Sequence, residues 1–122
     1  MRRLQAECEK AKIVLSAAVS VEINVDALKN TLDFSLNLTR EKFNELNQAN
    51  FDKIIPVIKG CLRDGSVTTE QIDDIILIGG CMRIPEVQLI ISNFFSGKNL
   101  DIKMNPDEAV AAGAGCIAAR LQ

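Results

Sequence analysis

The run Ile75-Ile76-Leu77-Ile78, closed by Gly79-Gly80 and followed at Pro85 by a helical pattern, most restricts how this chain can fold. A short, unbroken apolar run rich in β-branched residues reads as a strand buried on both faces, and such strands belong to parallel sheets covered by helices. Pro85 suits a helix's first turn. Val87, Ile90, Ile91, Phe94 and Phe95 then mark one apolar helical face, terminated at Gly97. Leu100 to Met104 reads as a second short strand. Asn105-Pro106-Asp107-Glu108 combines an N-cap, a first-position Pro and first-turn acids, and so opens a last helix over 106–121. That helix is rich in Ala, with Gly113 and Gly115, which permits close approach to a sheet or another helix. The second half is therefore a βαβα unit with parallel strands and a right-handed crossover.

The first half has a different pattern. Leu4, Cys8, Ala11 and Leu15 recur at helical spacing, predicting a helix over 2–18. Val19 to Val25 and Asp33 to Leu38 alternate with period two, which predicts two half-buried strands, able to pair antiparallel across a connection from Asp26 to Leu32. Thr39 caps a following helix. The Asn-rich stretch Asn47 to Asn50 breaks it into two, and Pro56 bends or limits the second. Asp64-Gly65 is a turn, and Thr69 caps a short helical turn before Ile72. The expected organisation is two small α/β pieces, 1–64 and 65–122.

Composition excludes several classes of function. The formal net charge of −2 gives no electrostatic footprint for nucleic acid. No run approaches the length of a membrane span. Charges at Glu7, Glu9, Lys10 and Lys12 interrupt what would otherwise imitate a leader sequence, so a soluble, intracellular protein is expected. The four cysteines, Cys8, Cys61, Cys81 and Cys116, are widely spaced and the chain has no His, which argues against zinc. Their apolar surroundings predict free, buried thiols.

In parallel α/β sheets ligands gather beyond the carboxyl ends of strands. Here that place is Gly79 to Arg83. The glycines let backbone approach a ligand, a following helix N-terminus favours an anion, and Arg83 can pair with phosphate or stack on a base. The same spacing is also that of a plain strand-to-helix corner, and neither of the common glycine-rich phosphate motifs occurs. Glu9, Lys12 and Ser16 share one side of the first helix, bordered by Ile13, either as hydrogen-bonding groups for a sugar or base or as a solvated face. Asp107 points into a site or merely favours a helix dipole.

Taken together, the segments resemble the ATPase domain of the heat shock protein 70 chaperone family. The resemblance is carried by Cys8-Glu9-Lys10-Ala11-Lys12 with Leu15-Ser16, Leu32-Asp33-Phe34, Thr39-Arg40 with Phe43-Asn44-Glu45-Leu46-Asn47, Ile78 through Pro85, and Asn105 through Ala111. It covers essentially the whole chain. It implies part of an actin-like ATPase fold, the last third of the nucleotide-binding domain within its second lobe. It also implies ATP or ADP as ligand, in an ATP-dependent chaperone of the cytoplasm. On this basis Glu9, Lys12, Ile13 and Ser16 match the helix facing the adenosine. Gly79, Gly80, Cys81, Met82 and Ile84 match the loop against the nucleotide, Arg83 the Arg that stacks on adenine, and Asp107 an acid near the ribose.

Ile13 replaces the family's usual Arg, so weaker binding is expected; Cys81-Met82 replace Ser-Thr and remove two hydroxyls, and Ala27 to Thr31 replace the family's usual loop after the first strand. The family's phosphate loops, magnesium-binding carboxylates and catalytic Lys are not in these residues, so the chain alone is expected not to hydrolyse ATP. The resemblance also implies nucleotide-exchange factors or co-chaperones as partners. An exposed sheet edge would favour self-association. The alternative reading is a non-enzymatic interaction module that keeps the exchange-factor surface.

Overall fold

The computed structural model describes residues 1–29, 31–101 and 105–121. Over these residues it is a mixed α/β chain with two small sheets. Its contacts form two compact units, Met1–Ala49 and Asn50–Gln122.

In the first unit, helix α1 (Arg2–Leu15) precedes strands β1 (Ser20–Lys29) and β2 (Leu32–Thr39). The strands pair antiparallel, as the alternation predicts, with Val21 opposite Leu38, Ile23 opposite Leu36 and Val25 opposite Phe34. These apolar cross-strand pairs define one face of the sheet. Helix α1 packs on β1, and Ala11, Leu15, Ile23 and Val25 are the buried residues of this unit among those described.

The helix stops at Leu15, short of the expected Ala18. The reason lies in a residue distant in sequence. Arg40 donates from Nε to the Leu15 carbonyl at 2.9 Å and from Nη2 to the Ala18 carbonyl at 2.7 Å. Carbonyls at a helix end have no partner within the helix, and a guanidinium fork supplies one.

The segment Asp26 to Leu32 is not a free connection. Strand β1 continues to Lys29 through an irregularity in register, with Ala27 at φ 46°. The Ala27 N–H donates to Asp33 Oδ1 at 2.8 Å. Arg3 donates to the Asp26 and Ala27 carbonyls at 3.0 and 2.8 Å. The backbone of the irregular stretch is thus partnered by side chains where the ladder is interrupted.

Helix α2 (Arg40–Phe51) opens on Thr39, whose Oγ1 accepts from the Lys42 N–H at 3.2 Å. Helix α3 (Ile54–Asp64) follows a break at Asp52 and Lys53. Pro56 lies in the first turn of α3, where its missing N–H removes no helical bond, so it limits the helix rather than bending it. The α3 helix packs on helix α4 (Pro85–Phe94), which places it in the second unit.

The second unit runs through a 3₁₀ turn (Thr69–Gln71), strand β3 (Ile75–Ile76), a second 3₁₀ turn (Gly80–Arg83), α4, strand β4 (Leu100–Asp101) and helix α5 (Ala109–Arg120). Thr68, not Thr69, begins the first turn: its N–H donates to Gln71 Oε1 at 2.8 Å, while the Gln71 N–H donates to its carbonyl at 3.2 Å. Strands β3 and β4 are parallel, with Ile75 opposite Leu100 and Ile76 opposite Asp101. The expected extension of β4 over 102–104 lies outside the described residues.

The Ile75–Ile78 run is not buried on both faces. Leu77 is 3% exposed, but Ile76 and Ile78 are 63% and 53% exposed. Two-sided burial requires packing on both faces of the sheet, and here the face that carries Leu77 is covered while the face that carries Ile76 and Ile78 is open. Among the described residues, Phe51, Leu77, Val87, Ile91 and Phe95 are the buried apolar residues of this unit. Helix α4 ends in a Schellman-type turn: Ser96, at φ 57°, takes the left-handed position and the Gly97 N–H reaches back to the Ser92 carbonyl at 2.8 Å. Helix α5 starts at Ala109 rather than Pro106, because 106–108 form turns first. From Val110 to Leu121 every residue is exposed.

Candidate functional site

The Gly-Gly corner is built by two loops tied together within the second unit. Gly79 has φ 92° and ψ 147°, a conformation essentially confined to glycine. Its N–H donates to the Pro106 carbonyl at 2.8 Å. Gly80 lies close to the facing loop: a Cβ there would stand 3.1 Å from Asp107 Oδ1, so the carboxylate would have to shift slightly to admit one. The chain then makes the 3₁₀ turn Gly80–Arg83, with the Met82 N–H donating to the Gly79 carbonyl at 3.0 Å. Helix α4 therefore begins a turn later than a direct strand-to-helix corner would place it, and Pro85 at its start offers no N–H. Gln88 Nε2 donates to the Met82 carbonyl at 2.6 Å and holds the turn from the helix side.

Arg83 is not a free cation. Its Nε and Nη2 lie 2.8 and 2.7 Å from the same oxygen of Asp107, Oδ2. Nη2 also donates to Asn105 Oδ1 at 2.6 Å. Asn105 Oδ1 in turn accepts the Asp107 N–H at 3.2 Å. Asn105 thus closes an Asx-type turn and fixes Arg83 at once, instead of capping a helix directly. Both partners of the ion pair are about half exposed, at 48% and 49%. The charge of Arg83 is balanced within the loop, so this corner offers a fixed guanidinium rather than a bare positive charge for phosphate. Cys81 is exposed, while Met82 and Ile84 are half-buried.

In the first unit, Glu9 and Lys12 form an i,i+3 ion pair at 2.5 Å on α1. Ser16 is the C-cap of that helix, with helical φ and ψ of −67° and −31°, so the face carrying Glu9 and Lys12 continues to it. Ile13 is 63% exposed beside them. Glu9 and Lys12 also line a groove of about 420 Å³ with Leu4, Cys8, Leu38 and Phe43. Leu38 and Phe43 belong to β2 and α2, and helical spacing along α1 gives no sign of them. The cysteines are free but not buried: all four are exposed. Among the described residues no group of three or more His, Cys, Asp or Glu is placed to hold a metal ion. No helix among them is long and apolar enough to cross a membrane.

Comparison with known proteins places the chain. The model of the family described as Hsp70 protein matches residues 1–122. A ribosome-associated molecular chaperone of Zygosaccharomyces rouxii is 44% identical over 114 residues, covering 93% of this chain and 19% of that protein. A ribosome-associated molecular chaperone of Saccharomyces cerevisiae is 43% identical over the same shares. The heat shock cognate 70 kDa protein 3 of Dictyostelium discoideum is 42% identical over 121 residues, covering 99% of this chain and 19% of the relative. The chain thus spans about a fifth of the length of the curated relatives it matches. With every residue inside the family match and nearly the whole chain aligned to these relatives, the chain belongs to the Hsp70 family.

Proposed function

We propose that this chain supplies the adenosine side of the nucleotide pocket in the ATPase domain of an ATP-dependent molecular chaperone, with the actin-like second lobe as its parent architecture. The observation that carries this reading is the fixed Arg83 beside Gly79 and Gly80, at the carboxyl end of β3, in a chain of this family. A planar guanidinium held by its edge suits stacking on a base. Glu9, Lys12 and Ser16 suit hydrogen bonds to the sugar and base, with Ile13, Cys81, Met82 and Ile84 as apolar contacts. Asp107 stands with Arg83 at the glycine corner.

The chemistry of these residues addresses base and sugar. Phosphoryl transfer depends on positioning and charge stabilisation around the phosphates, and we assign that work, with its magnesium, to other parts of such a domain. Nucleotide-exchange factors and co-chaperones in the cytoplasm are the partners this role brings with it. The exposed Ile76 and Ile78 give the open side of β3 a surface for self-association.

Titration calorimetry of the purified chain with ADP and ATP tests the reading. Binding tighter than about 1 mM, roughly 4 kcal/mol, supports it. Absence of binding would favour a second reading, a non-enzymatic interaction module, which the exposed apolar Ile13 on the Glu9–Lys12 face favours. Magnesium-dependent turnover by the chain alone, abolished by Arg83→Ala, would overturn the assignment of catalysis elsewhere.

A further inference from the structure

We infer that Asp107 is a positioning residue for Arg83, not a ligand to the sugar, and that with Asn105 it holds the guanidinium edge-on so that its flat face meets the base. This inference rests on the adenosine-side reading above and sharpens it. The geometry has three parts. Nε and Nη2 of Arg83 converge on one oxygen, Asp107 Oδ2, at 2.8 and 2.7 Å, and Nη2 reaches Asn105 Oδ1 at 2.6 Å. All guanidinium N–H donors lie in the plane of the group, so these bonds occupy its edge and leave its faces clear. Asp107 is itself held, its N–H on Asn105 Oδ1 at 3.2 Å. Its other oxygen, Oδ1, lies over the glycine corner, 3.1 Å from where a Cβ of Gly80 would be. The Gly79–Pro106 hydrogen bond at 2.8 Å keeps the two loops at this spacing.

The carboxylate is therefore engaged with Arg83 and the glycine turn before any ligand arrives. A long side chain already ordered loses less freedom on binding than one that must be fixed by the ligand. Asp107 acts through Arg83, so its loss should be felt by any ligand that carries the base, with or without a sugar.

The test uses the 122-residue chain with two probes, adenine and adenosine, titrated by NMR. Asp107→Ala is expected to weaken both by the same factor, roughly three- to tenfold, the size of a lost cation–π contact. The double variant Arg83→Ala/Asp107→Ala is expected to bind no more weakly than Arg83→Ala. In the ligand-free chain the Arg83 Nε–H signal is expected to lose its exchange protection in Asp107→Ala, while the thermal midpoint stays within about 2 °C, as for exposed pairs generally. Loss confined to adenosine, or an Arg83 Nε–H signal indifferent to Asp107→Ala, would overturn the positioning role while leaving the adenosine-side reading intact. If the unaltered chain binds neither probe, the adenosine-side reading falls, and this role falls with it.

Discussion

Lys98 joins two distant loops of the second unit, and its replacement is the sharpest test of how that unit is held. The Schellman-type turn at Ser96 and Gly97 delivers Lys98 to the first 3₁₀ turn. There its Nζ donates to the carbonyls of Thr69 at 2.9 Å, Ile72 at 2.5 Å and, at a longer 3.3 Å, Glu70. The Thr69 and Ile72 contacts are part-buried. Lys98→Met keeps the aliphatic stem and removes the ammonium. Hydrogen bonds to a charged group are worth about 1.5–3 kcal/mol each. Water can replace the Glu70 contact and part of the others, so the net loss is about 2 kcal/mol rather than the full sum. For a chain of this size that is a fall of roughly 6–10 °C in thermal midpoint. Thermal and urea unfolding measure the loss, and amide exchange locates it: Gln71 and Ile72 should exchange faster. A midpoint within 1–2 °C of the parent, with Gln71 and Ile72 unchanged, would refute the argument that this ammonium holds the turn.

Other perturbations test other joints. Arg40→Met removes both donors from the Leu15 and Ala18 carbonyls and should destabilise the first unit by about 2–3 kcal/mol, seen in urea unfolding and in faster exchange at the end of α1. Gly79→Ala meets no atom within 4 Å, so any loss is purely conformational; about 1–3 kcal/mol is expected at φ 92°. Gly113→Ala, in the exposed and open α5, should do the opposite and stabilise by about 0.5–1 kcal/mol. Glu70 is held below its ordinary pKa of 4.5, first by a hydrogen bond from the Thr68 side chain, then by backbone and Thr69, with Lys98 adding to the effect. A depressed carboxyl pKa stabilises the fold above 4.5, and that contribution is lost as the pH falls through the lower folded value. NMR titration should show Glu70 and its turn shifting together below pH 4.5; a Glu70 curve centred at or above 4.5 would count against it.

The order of elements was legible in the sequence because it depends on local spacing. Alternation in 19–25 and 33–38 became the antiparallel pair, and the Gly-Gly, Pro85 and Val87 pattern became the corner and α4. Burial was less legible. Ile75 to Ile78 carries the composition of a two-sided strand, but what covers a strand is decided by elements elsewhere, and here Ile76 and Ile78 stand in solvent. The cysteines failed for the same reason. The ties that shape the site were not legible at all: Arg83 with Asp107, Arg40 with Leu15, and Lys98 with Ile72 each join residues too far apart in sequence for any periodicity to reveal. The resemblance to Hsp70 proteins pointed to Arg83 and Asp107 individually, whereas their pairing emerged only from the geometry.

Whether the glycine corner of the second unit meets a nucleotide decides the proposed adenosine-side role. Site-resolved NMR of the chain titrated with ADP tests it most directly. The proposed role predicts that amide signals of Gly79 to Ile84 shift along a single saturable curve and that Arg83→Ala abolishes those shifts. Shifts absent from Gly79 to Ile84, or unchanged in Arg83→Ala, would contradict it.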